Sequence, residues 1–211
     1  MKKSIVIIVI LAAVFTAFKS SKKETVFLNE EVKINLNYEA DNVDVTASVL
    51  NWKGSKPTGS HNGTVALKSG NLDVKNGLLN GGVFVVDLTT IKNLDMAGSD
   101  GAAKIEGHLK GDDFFDVEKY PTSTFTITKV KKDGSKLAVT GNLQIKDVTK
   151  SITIPAMIST ESGVTVFKSE VFNINRADFN VKYGSKSFFD NLKDKFIDDM
   201  MEMSFVVKSK A

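Results

Sequence analysis

Apolar and polar residues alternate along most of this chain with a period of two. Val43, Val45, Ala47 and Val49 are separated by Asp44, Thr46 and Ser48, and Phe125 and Ile127 stand among Thr124, Thr126 and Thr128. Leu137, Val139, Gly141, Leu143 and Ile145 form a further series, followed by Ile152, Ile154, Ala156 and Ile158, and near the end by Met201, Met203, Phe205 and Val207. Such alternation predicts antiparallel strands with one dry and one wet face. Asn76-Gly77, Gly81-Gly82, Asp133-Gly134 and Ser162-Gly163 fall between or beside these runs, where hairpin turns need positive φ. Helical spacing is confined to two short stretches, Asp112–Val117 behind capping acids and Ser187–Lys195 with Phe188, Phe189, Leu192 and Phe196 toward one side. Neither is long enough to cover a sheet. An all-β chain of this kind buries its apolar face against itself, as a sandwich or a closed barrel. At about eight strands a barrel interior lies between a packed core and a ligand cavity.

The N-terminus departs from this pattern. Lys2 and Lys3 precede an apolar run from Ile5 to Phe18, broken by Thr16 and followed by Lys19, Ser20, Ser21, Lys22 and Lys23. A basic start and an apolar run shorter than the roughly 20 residues of a membrane span read as a secretory signal over residues 1–20. Bulky Phe15 and Phe18 stand where small residues favour cleavage, so an uncleaved N-terminal anchor is the alternative. Residues 21–41 read as a linker with an extra strand or a loose arm, and residues 42–211 as one barrel domain. The expected location is the periplasm or the cell exterior, with a membrane tether if the signal stays in place.

Charge adds an exclusion. The whole chain carries 28 basic against 25 acidic residues, but residues 1–20 hold three lysines and no acid, so the remainder is neutral at 25 against 25. The basic stripe expected of a nucleic-acid binder is missing. Without Cys there are no disulfides, thiolate nucleophiles or Cys-ligated metals, and His61 and His108 are the two imidazoles. Neither has a His partner at ligand spacing, and Asp112 and Asp113 after His108 read as helix-capping acids, with His108 bonded to a turn. Asn62-Gly63-Thr64 reads as a turn entering a strand, and Asp194, Asp198 and Asp199 among lysines as a solvated surface. No catalytic residue, metal site or cofactor is expected.

Four stretches carry a resemblance. They are EGHLKGDDFFDVEKYPTSTF (106–125), Trp52-Lys53-Gly54-Ser55-Lys56 with His61-Asn62-Gly63-Thr64-Val65, Gly141 to Lys150, and Asn175-Arg176-Ala177-Asp178-Phe179-Asn180-Val181-Lys182-Tyr183-Gly184-Ser185. In this order and spacing they resemble the YceI-like family of exported lipid-binding proteins, from about Asn42 to Val207. The resemblance implies a lipocalin-like, eight-stranded antiparallel barrel that holds a polyisoprenoid or similar long-chain lipid, without catalysis, and with homodimers in some members. Asn175 departs from the Asp that many relatives carry before the Arg, and Phe179 from a frequent Trp. On this reading the apolar lining is expected from Phe84, Val86, Leu88, Phe125, Ile127, Leu143, Ile145, Ile154, Phe172 and Ile174, with Phe114 and Phe115 at one mouth. Lys56, His61, His108 and Arg176 are the residues expected to meet a polar head group, although Arg176 equally suits Asp178 or a turn carbonyl. A barrel filled by its own side chains, serving a structural or interaction role, is the alternative. One β-bulge would reverse the facing of all positions after it.

Overall fold

The computed structural model describes residues 42–210, so the expected signal, linker and extra strand lie outside the described residues. The strands are β1 (Val43–Lys56), β2 (Gly59–Lys75), β3 (Leu78–Asn93), β4 (Thr122–Asp133), β5 (Lys136–Ile145), β6 (Val148–Glu161), β7 (Val164–Ser169), β8 (Phe172–Asn175) and β9 (Met200–Ser209); one helix, α1 (Asp100–Lys110), follows β3. Neighbours pair antiparallel in the order β1-β2-β3-β4-β5-β6-β7-β9, and β9 pairs back onto β1. β8 pairs with β9 from Phe172↔Met203 to Asn175↔Met200 and prolongs the line of β7 after a break at Glu170-Val171. The result is a closed barrel of eight staves, as the alternation and the resemblance implied.

The turns are built largely where the sequence places them. Asn76-Gly77 and Ser162-Gly163 are two-residue hairpins with positive φ at both residues (53° and 75°, 51° and 83°), the geometry that matches strand twist. Gly81-Gly82 is not a turn. Both residues lie inside β3 opposite Asp73 and Leu72, and a Cβ on Gly82 would come within 2.7 Å of the Asn71 carbonyl oxygen. Asn62-Gly63-Thr64 likewise sits inside β2, paired with Lys53 and Trp52 on one side and Asn93 and Lys92 on the other.

Register slips occur in β1, β2, β3 and β4, and two of them, anchored by acidic side chains, set the facing in β1 and at the end of β3. In β1 the register slips between Asp44 and Val49, where the Asp44 carboxylate accepts the N–H groups of Thr46 and Ala47 and Ser48 Oγ donates to the Asp44 carbonyl. Ser48 is buried in consequence and Ala47 exposed, the reverse of what simple alternation predicts. In β3 the Asp87 carboxylate accepts Thr89 N–H, and Thr90 Oγ1 donates to the Asp87 carbonyl. Each bulge swaps odd for even positions, so Leu50 and Trp52 face inward beyond the first and Ile91 beyond the second.

Neither stretch with helical spacing forms an α-helix. Residues 112–119 form successive turns, with the Asp116 N–H on the Gly111 carbonyl at 2.7 Å, and residues 187–195 hold only a short 3-10 turn at Lys193–Lys195. The true helix, α1, begins at an Ser99 cap whose hydroxyl accepts the Ala102 N–H and ends before Gly111.

Strand directions divide the barrel into two ends. The closed end carries the short β2–β3, β4–β5 and β6–β7 turns together with Asn42 and Lys210. Val43, Leu72, Leu79, Ile127, Val139 and Ala156 pack there into a solid core. The mouth end carries the β1–β2 hairpin, the β3–β4 connection with α1, the β5–β6 turn and the long β8–β9 connection. Gly141 lets the staves close tightly: a Cβ there would lie 2.4 Å from the Phe125 ring.

Candidate functional site

The mouth half of the barrel is hollow. A cavity of about 310 Å³ opens between the staves, at the lower end of the roughly 300–1,000 Å³ span of small-molecule sites. Phe84, Val86, Leu88, Phe125, Leu143, Ile145, Ile154, Phe172 and Ile174 line it from the strands, and Phe114 and Phe115 line it from the β3–β4 connection. Ile127 is the exception among the expected lining residues. It is buried in the solid core and does not reach the cavity. The physical reason is depth, because Ile127 lies on β4 two residues nearer the closed end than Phe125.

Much of the wall lies outside the expected lining set. Leu50, Trp52, Val65, Leu67, Ile91, Ile152 and Phe167 line it, as do Met201, Met203, Phe205 and Val207 along β9. The β9 series was legible as a strand face. Leu50, Trp52 and Ile91 were hidden by the two bulges. Ile105 and Leu109, four residues apart on α1, cover the mouth from above. The helix is fixed there by Glu106, whose carboxylate accepts the Asn93 N–H at 2.9 Å; that bond, aided by Lys92, holds its pKa below the usual carboxylate value.

Lys56, His61, His108 and Arg176 all border this cavity, but in different states. Lys56 is exposed on the rim. His61 Nδ1 lies 2.8 Å from Asp95 Oδ2, while Asp95 Oδ1 accepts the Asn62 N–H and Asn93 Nδ2. The Asn62 N–H, followed by His61 and Asn93, holds the Asp95 carboxyl down to about 2. A carboxylate in that state can only accept, so Nδ1 carries the proton and Nε2 is the His61 nitrogen left for a ligand. The folded-state value lies below the unfolded one, so this stabilisation is present above about pH 4 and lost as pH falls toward about 2. Asp95→Asn is expected to remove that acid-limb component and to lower stability at neutral pH by about 1 kcal/mol, given partial solvent screening; urea midpoints from pH 7 to 2 check it.

His108 lies in the last turn of α1, not on a separate turn. Its Nε2 is 3.4 Å from Asp113 Oδ2, and its ring meets Tyr183 and Phe114 edge-on at 4.2 and 5.8 Å. Asp113 thus faces this imidazole and does not cap a helix. Among the described residues no group of three or more His, Asp or Glu is placed to hold a metal ion.

Arg176 is 1% exposed. Its guanidinium donates to the carbonyls of Val181 (2.9 Å), Ile197 (3.0 Å) and Asp198 (3.1 Å), and Nη2 lies 3.2 Å from Asp199 Oδ1. The last contact is an ion pair without hydrogen-bond alignment, since Asp199 Oδ1 is buried with no hydrogen-bond partner. Burial lowers the Arg176 pKa while Asp199 and Asp198 act against that fall. Asp199 is therefore half-buried, with Oδ1 turned inward to the guanidinium and Oδ2 accepting the Ser187 hydroxyl at the surface. The partner of Arg176 is Asp199 and turn carbonyls, whereas Asp178 meets Asn175. Asn175 itself caps the short turn Arg176–Phe179 by accepting the Ala177 N–H. Phe179 is buried at 1%, so the apolar role of that position is kept.

The model of the YceI-like domain matches residues 41–209, most of the chain. The chain belongs to the YceI-like family. Protein YceI of Escherichia coli O157:H7 is 46% identical over 56 residues, which are 26% of this chain and 29% of that protein; the Salmonella arizonae protein is 45% identical over a stretch of the same length. The aligned stretch thus spans less than a third of these curated relatives. Among solved structures, BcnA of Burkholderia cenocepacia superposes with a TM-score of 0.65 at 22% identity, covering 80% of this chain and all of that one. A polyisoprenoid-binding domain from Saccharophagus degradans, implicated in plant cell wall breakdown, gives 0.61 at 22%, covering 82% and 98%. At these identities the two structures establish that the YceI-like fold is shared.

Proposed function

We propose that this YceI-like chain is a non-catalytic carrier that holds a long-chain, isoprenoid-like lipid inside its barrel, in the periplasm or outside the cell. The observation that carries this reading is the one-ended, apolar cavity with cationic and imidazole groups confined to its rim. An apolar chain entering it sheds its water contact, worth about 25 cal/mol per Å². The head group stays at the rim, beside Lys56 and His61 Nε2. A binding role in the Saccharophagus domain of the same fold agrees with this. The basic, apolar N-terminus supports export, and its retention would tether the barrel to the membrane. The self-filled alternative describes the closed half of the barrel but leaves the hollow half without a purpose.

Trp52 is the sole tryptophan and lines the cavity. Titration with a brominated long-chain lipid is expected to quench its fluorescence saturably, near one lipid per chain, and a non-brominated polyprenol is expected to reverse the quenching. Unchanged Trp52 emission at saturating lipid would sink the carrier reading.

A further inference from the structure

Among the described residues, exposed large apolar side chains are unevenly spread. Tyr183, Phe188, Phe189 and Met200 lie between β8 and the first residue of β9, and Leu94 joins them at the mouth end, leaving Leu78 and Val171 elsewhere. Phe188 and Phe189 remain 40% and 48% exposed. Within that connection residues 182–196 carry Lys182, Lys186, Lys193 and Lys195 against Asp190 and Asp194, while Arg176, Asp178, Asp198 and Asp199 at its two feet bring the whole connection to neutrality, so the positive excess is confined to the loop itself. Lys182 Nζ lies 5.2 Å from the centre of the Phe188 ring, and Lys186 Nζ 3.3 Å from that of Phe196. Rings and ammonium groups set side by side suit a membrane interface, where the ring enters the acyl boundary and the amine stays with the phosphates.

The loop is also joined to the cavity. It runs directly into Ile197 and Asp198, which border the mouth, and its foot is fixed by the Arg176 bonds to Val181 and Ile197. The neighbouring 111–118 connection bears Asp112, Asp113, Asp116 and Glu118. An anionic surface repels that side and attracts the lysine-bearing side, which tilts the mouth so that the 182–196 loop meets the surface first.

We propose that the 182–196 loop docks the barrel mouth onto an anionic lipid bilayer, so that a lipid chain passes between bilayer and cavity without crossing water. The proposal rests on the carrier reading for its purpose, but the docking is measured separately. The cysteine-free sequence allows single dyes at Asp190→Cys in the loop and at Ser135→Cys in the β4–β5 turn of the closed end. On phosphatidylcholine vesicles doped with phosphatidylglycerol, an environment-sensitive dye at 190 is expected to shift to the blue, and one at 135 to stay as in water. Pure phosphatidylcholine is expected to give a clearly smaller shift. Phe188→Ser with Phe189→Ser, in the Asp190→Cys background, is expected to weaken partitioning by about ten-fold, with melting and the uptake of lipid presented in solution unchanged. Equal shifts at both sites, no shift at 190, no dependence on phosphatidylglycerol, or undiminished partitioning of the double variant would each overturn the proposal. So would self-association that the double variant abolishes without any vesicle response, which would assign the loop to a second copy of the chain. Vesicle docking without lipid uptake would retire the carrier reading and leave docking standing; uptake without docking would do the opposite.

Discussion

Arg176→Met is expected to destabilise the barrel by about 3–5 kcal/mol, the cost of breaking a buried ion pair from one side. Methionine is close in length and keeps the apolar contact with Phe114, over whose ring the guanidinium carbon now sits at 5.3 Å. What it cannot replace is the fork. The carbonyls of Val181, Ile197 and Asp198 lose their donors, and the inward-facing Oδ1 of half-buried Asp199 is left without a counter-charge. All four groups belong to the β8–β9 connection, so the loss falls on the mouth. The Ile197 N–H, bonded to the Gly184 carbonyl, and the Asp198 N–H, bonded to the Ser55 carbonyl, are expected to lose hydrogen-exchange protection before the β4–β5 pairing does. Urea unfolding with amide exchange reads both effects. A variant within 1 kcal/mol of wild type, with the loop still protected, would mean that the fork is dispensable.

Val86→Trp is expected to block the cavity while leaving the fold in place. Val86 faces the hollow half, paired with Leu67 on β2 and with the small Ser123 on β4. An indole there has space to enter, so overpacking is expected to cost at most about 1–2 kcal/mol. It would occupy a sizeable part of the 310 Å³ and remove on the order of 100 Å² of lipid contact, about 2.5 kcal/mol, or between ten- and a hundred-fold in affinity. Competitive displacement of a fluorescent fatty probe measures this without relying on the indole signal. Affinity equal to wild type in a folded Val86→Trp variant would place the ligand elsewhere.

The barrel was legible because most of its strands are unbroken period-two series. β5 and β9 read correctly residue by residue, and Met201 to Val207 indeed share one face on the cavity. Facing failed where an acidic side chain takes over backbone hydrogen bonds. Asp44-Val45-Thr46 and Asp87-Leu88-Thr89 each place a carboxylate two residues before a Thr N–H, and this repeated Asp-x-Thr signal marks these two bulges, whereas the slips after Leu67 and Ile127 carry none. The helix was illegible for a different reason. α1 contains Gly101 and Gly107, buries only Ala102 fully and turns Ile105 and Leu109 toward a cavity instead of a packed sheet. Its amphipathic stripe is therefore too thin to stand out, whereas Ser99 ahead of it was a usable cap. The DDFF string suggested a helix because acids precede aromatics, but Gly111 ends α1 just before it and Asp116 takes a positive φ of 52°.

At the rim, residue type marked the right positions and could not assign their states. Sequence placed Lys56, His61, His108 and Arg176 near one another, and all four border the mouth. It could not distinguish an exposed lysine from a guanidinium enclosed by three carbonyls, because those carbonyls come from residues five to 22 positions away.

Lipid occupancy decides the matter most directly. Native mass spectrometry of the protein isolated from its own host without detergent is expected to show the polypeptide with one added long-chain lipid. That mass should be released on denaturation and recovered in organic extract as a largely hydrocarbon, isoprenoid-like species. A bare polypeptide mass, unchanged after incubation with polyprenol, would contradict a barrel that works through its interior.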